Sequence, residues 1–145
     1  MKTMNHAGRR YAAGWRIFGL ALWLLPLISP AARNDDMFGG AWDWSLPWKR
    51  FSQMSQIERT QYSKGEELLR QANYETAAVE FEKYVAQNPE TPIKSHCLLL
   101  RAFSLHQAKQ RNQAIEGYTE VLDLFGETVI EDAVPAAYLM SKAQS

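Results

Sequence analysis

A thiol between imidazoles is the raw material of a nucleophile–base pair or of a metal site, and residues 96–106 supply His96, Cys97 and His106. Their spacing removes both options. Apolar residues at three and four spacing predict one helix through this stretch, and at about 100° per residue Cys97 and His106, nine positions apart, face opposite sides. His96 and His106 stand about 15 Å apart along the same axis, too far to share a metal ion. Cys97 is the only cysteine, so no internal disulfide or multi-cysteine metal site can form, and a small buried hydrophobe is expected of it. Asp35–Asp36 and Glu66–Glu67 are adjacent carboxylate pairs of the sort that solvated surfaces carry. The chain contains no Gly-rich phosphate loop, no HExxH and no GxSxG. The expectation is a protein that is not an enzyme and takes no cofactor or metal.

The elements that would carry any other function follow from composition. With 145 residues, 46% hydrophobic and 12% aromatic, the chain has enough apolar material for one globular core. Net charge is zero, yet Lys2, Arg9, Arg10 and Arg16 fall in the first 31 residues, which contain no acid. The remainder holds 12 basic and 16 acidic residues, a balance of about −4. Nucleic acid is therefore not an expected partner, since phosphate binding needs clustered Lys and Arg.

Residues 1–31 have the order of an export signal: a basic start, the apolar run Ile17–Ser29, then Ser29 and Ala31 at the positions a signal peptidase reads. Between Arg16 and Arg33 the run is shorter than the roughly 20 residues that a spanning helix wants. A cleaved signal is the first reading, an uncleaved anchor in the inner membrane the second, a buried helix the third. The first two place the rest of the chain outside the cytoplasm, in the periplasm or beyond. Arg9–Arg10 is a weak twin-arginine signal, and no cysteine directly follows the run to take a lipid.

Residues 32–54 form a Trp-rich linker. Trp42, Trp44, Trp48 and Phe51 lie in the stretch AWDWSLPWKRF, where Gly39, Gly40 and Pro47 argue against a regular helix or strand. Three uses compete for these rings. They pack onto the first hairpin as an N-terminal cap, with Trp44, Trp48 and Phe51 in contact; they sit at a membrane interface beside a retained anchor; or they grip a partner. The cap is favoured, because a first hairpin has no preceding neighbour to cover it.

From residue 55 to 143 the sequence is helical. Ser55 and Glu58 make a capping box, which starts a helix near Gln56 that runs to about Ala72. A second is expected from Glu75 to Asn88, and a third opens with Thr91 as cap and Pro92 at its first position and reaches Lys109. A fourth spans Gln113 to Leu124, with Gly126 as a left-handed cap. A fifth, about 133–142, follows Asp132 with Pro135 in its first turn.

Overlaying the first pair on the second at an offset of 37 aligns Gly65 with Ala102, Leu68 with Leu105, Ala77 with Ala114, Phe81 with Tyr118 and Val85 with Leu122. Small residues at helix crossings and aromatics between hairpins in this order resemble the tetratricopeptide repeat. Gly65, Ala77, Phe81 and Pro89 match its first unit, about 58–91, and Ala102, Ala114 and Tyr118 its second, about 95–128. The period of 37 exceeds the usual 34 or so, and Gly126 stands where a closing Pro belongs. The resemblance implies an all-α fold, a short solenoid of antiparallel helical hairpins with about five helices.

It also implies a groove lined by the first helix of each hairpin. Carried over position by position, that groove is Arg59, Tyr62, Glu66 and Leu69 in the first unit and His96, Leu99, Phe103 and His106 in the second. Tyr62 and Glu66 replace the Lys and Asn of family members that clamp C-terminal carboxylates. The expected function is a non-enzymatic interaction or scaffold module of the bacterial cell envelope, whose partner is another protein or peptide. The alternative is a membrane-anchored accessory subunit of a larger complex, in contact with the bilayer through its N-terminal segment.

Overall fold

The capping box at Ser55 sets the register for everything after it. The Ser55 hydroxyl accepts from the Glu58 amide at 3.2 Å, and the Glu58 carboxylate accepts from the Ser55 amide at 2.8 Å. In the computed structural model, which describes residues 44–145, helix α2 (Gln56–Arg70) follows directly. It is preceded by a single turn, α1 (Trp48–Phe51), and followed by α3 (Tyr74–Gln87), α4 (Lys94–Gln107), α5 (Arg111–Phe125) and α6 (Ile130–Gln144). The segment 1–31 and Trp42 lie outside the described residues.

Among the described residues the architecture is all-helical, with consecutive helices packed in adjacent pairs and α4 also touching α6. Six helices stand among the described residues where five were expected. The extra one is α1, which forms despite Pro47 because proline is tolerated where a helix begins, its missing N–H being unneeded there.

Several helix boundaries differ from expectation: α5 opens at Arg111 rather than Gln113, and three expected caps are not made. The Thr91 hydroxyl does not cap α4; it meets the buried Tyr84 hydroxyl at 2.8 Å, and α4 begins only at Lys94. Gly126 is right-handed, with φ −55°, and its amide continues the helical pattern onto the Leu122 carbonyl. Helix α6 starts at Ile130, so Pro135 lies in its second turn and Asp132 is inside the helix rather than before it.

Left-handed backbone is found instead at Ala72 (φ 57°) and Lys109 (φ 64°). Both close the same motif. Asn73 N–H donates to the Leu68 carbonyl and Ala72 N–H to that of Leu69; Gln110 and Lys109 repeat these bonds onto Leu105 and His106. The offset of 37 visible in the side chains therefore recurs in the backbone turns.

Core packing follows the same spacing. Ala77, Ala102 and Ala114 are wholly buried, as are Phe81 and Tyr118 to within 1%. A methyl at Gly65 would stand 2.7 Å from Phe81 Cε1, and one at Gly117 would stand 2.8 Å from Ala102 Cβ, so helix pairs approach as closely as these small residues permit. Among the described residues Tyr62, Phe81, Tyr84 and Tyr118 are the largest fully buried side chains, and each removes roughly 150–250 Å² from water.

Candidate functional site: a strap across three helices

Residues 44–54 are built from turns and the single turn of α1, and they are held by side chains. Trp44, Leu46 and Phe51 pack against the core, and Met54 belongs to it. Arg59 on α2 lies over the Phe51 ring, 5.3 Å from its centre, and donates to the Ser52 carbonyl at 3.0 Å. The segment thus forms a strap whose polar and cavity contacts fall on α2, α4 and α6.

Its anchor is Arg50. Nη1 donates to Asp132 Oδ2 on α6 at 2.8 Å, and Nη2 donates to Ser95 Oγ on α4 at 2.9 Å. The Ser95 hydroxyl in turn donates to Asp132 Oδ2 at 2.5 Å, while Asp132 Oδ1 stands 3.1 Å from His96 Nδ1. The Arg50 side chain is 13% exposed and those of Asp132 and His96 are 4% and 5%. Burial alone would raise the Asp132 pKa, but hydrogen bonds from His96 and Ser95 and the charges of His96 and Arg50 outweigh it and hold it below the usual value. An ionised carboxylate only accepts, so His96 Nδ1 is the donor in their pair.

Beside this cluster is a cavity of about 170 Å³, walled by Trp44, Ser45, Pro47 and Arg50 of the strap, His96 and Leu99 of α4, and Glu131, Asp132 and Pro135 of α6. His96 Nε2 and Trp44 Nε1 are buried without a hydrogen-bond partner. Among the described residues no group of three His, Cys, Asp or Glu stands together in a way that could hold a metal ion.

The eight groove positions divide. Tyr62, Leu69, His96, Leu99 and Phe103 are buried, at 5% exposure or less, so they are covered rather than open to a ligand. Arg59, Glu66 and His106 are half-buried. Tyr62 donates to Glu66 at 3.0 Å, and burial pushes its phenol pKa far up. His106 Nδ1 lies 3.3 Å from the Tyr118 hydroxyl; burial lowers its pKa, with Lys109 and Arg111 adding to the effect. Cys97 is completely buried and its thiol pKa is raised, first by desolvation.

The linker needs a larger correction. Trp44 and Phe51 do pack against the core, but Trp48 is 74% exposed and touches Phe51 at a ring separation of 5.8 Å. Packing also extends past the first hairpin to α4 and α6, because Arg50 reaches residues 45 and 82 positions away. Sequence reasoning missed Arg50, Ser95 and Asp132. One signal was available: Ser95 and Asp132 are separated by 37, the repeat offset, so they occupy equivalent places on consecutive first helices.

Compared with protein-family models, with curated proteins and with solved structures, the chain finds no match in any of the three.

Proposed function

We propose that this chain is a non-enzymatic protein-interaction module of the bacterial cell envelope, a tetratricopeptide-like scaffold whose working surface is the face of α2, α4 and α6. The observation that supports this reading most is the strap itself. The face accommodates an irregular, aromatic-rich segment through one partly buried guanidinium and a few rings, and helical-repeat proteins offer such extended surfaces to peptides.

Export rests on the pattern of residues 1–31. In a related reading the chain keeps that segment as an anchor and serves as an accessory subunit in a membrane complex. Among the described residues no helix is long and apolar enough to cross a membrane. Trp48 on the strap, 74% exposed, offers apolar contact where a partner would enter.

In-cell photocrosslinking checks the proposal. A photoreactive residue in place of Trp48 is expected to capture a discrete protein partner, while one at exposed Glu82 on α3 captures none. Equal, nonspecific labelling from both positions counts against it.

A further inference from the structure

The strap marks what the face prefers. We propose that it acts as a built-in occupant, and that the partner is a protein segment presenting an arginine followed by an aromatic residue, which takes the place of Arg50 and Phe51. This rests on the interaction reading above and names the chemistry of its partner.

Three observations carry it. First, the receptor end is acidic and shaped for a planar donor. Asp132 Oδ2 and Ser95 Oγ accept from two different nitrogens of Arg50, at 2.8 and 2.9 Å, with the Glu131 carboxylate 4.0 Å from Nη1. A guanidinium supplies two such donors in one plane, whereas an ammonium is a point charge. Second, an aromatic subsite adjoins it: the Phe51 ring lies under the Arg59 guanidinium.

Third, the strap is an imperfect ligand. His96 faces Asp132 with Nδ1, which leaves Nε2 buried and unpartnered, as is Trp44 Nε1 on the same cavity. Leaving buried polar atoms unpaired is costly. A segment that pairs with His96 Nε2 makes a bond that the strap lacks. Such a gain is necessary, because the strap is joined to α2 through four residues, 52–55, and acts at a high effective concentration.

The test uses the full chain and its Arg50→Ala variant. The probe is a fluorescein-labelled peptide AWDWSLPWKRF, together with the same peptide carrying citrulline for its arginine, which keeps the shape and removes the charge. Fluorescence polarisation is expected to show that the variant binds the arginine peptide at least about tenfold more tightly than the native chain does. It is also expected to prefer that peptide over the citrulline form by about tenfold or more, and to lose the preference when Asp132→Asn is added.

Equal affinity for the two peptides, or no binding by a folded Arg50→Ala protein, overturns the assignment. The interaction reading stands by itself if the crosslinks from Trp48 still form. Concentration-dependent dimerisation of the native chain that Asp132→Asn abolishes gives the face to a second copy and also overturns it. If Arg50→Ala does not fold, Ser95→Ala loosens the same anchor by one hydrogen bond, and the preference for arginine over citrulline decides in the same way.

Discussion

Asp132 joins three parts of the chain through one carboxylate, and its neighbours are arranged for its charged form alone. Replacing it by Asn leaves the Arg50 guanidinium 13% exposed with no countercharge at hydrogen-bonding distance, a change that typically costs about 3–5 kcal/mol. A urea titration of Asp132→Asn is expected to show a loss of that size. The pH dependence follows from the direction of the shift. Because folding lowers the Asp132 pKa, the unfolded chain binds the extra proton, so the stabilisation is complete above the ordinary value of 3.8 and is lost as pH falls through the folded value. Glu58 behaves likewise, its pKa lowered chiefly by the Ser55 amide it accepts from. The native chain is therefore expected to lose stability steeply below about pH 4, and the Asn variant to lose less of it. Equal acid slopes for the two proteins count against the charged form as the source.

At the scale of elements, the turns after α2 and α4 place Ala72 and Lys109 in left-handed backbone, which costs an L-residue with a Cβ roughly 1–2 kcal/mol. Glycine removes that cost but gains freedom in the unfolded chain. Ala72→Gly and Lys109→Gly are thus each expected to raise stability by about 0.5–1 kcal/mol, seen as a higher Tm; a fall in both would show that the turns relax differently. These two positions also show where the sequence was legible. Helix existence, the capping box at Ser55 and the small-for-small pairing of Gly65 with Ala102 and Ala77 with Ala114 could be read because periodicity and steric size are local properties. The turns stand where the helices were expected to end, but their left-handed backbone gave no signal because glycine, the usual residue there, is absent from them, while Gly126 is right-handed. Thr91 and Asp132 resembled caps but serve tertiary partners, Tyr84 and Arg50, and a cap-forming residue looks the same from sequence in either role. The strap's destination was illegible for a related reason: its anchor depends on three residues far apart in sequence, of which only the offset between Ser95 and Asp132 left a trace.

At the scale of the whole molecule, a stack in which each helix packs mainly on the next is expected to fray from its ends. The strap counters this by tying residue 50 to residue 132, so that the first and last described elements share one bond network. Native-state hydrogen exchange is expected to show it: in Arg50→Ala, amides of the strap that bond to Pro47 and Trp48 and those of α6 should lose protection together, while α3 keeps its own. Unchanged protection in α6 would mean that the ends are independent. The 82 residues separating Arg50 from Asp132 also set a clock. A ribosome adding about 5–20 residues per second makes the arginine on the order of ten seconds before its carboxylate. During that interval the first hairpin has the sequence it needs to form, yet the segment ahead of it has no lock to close. Whatever meets that segment on its way out meets it before the chain can claim it for itself.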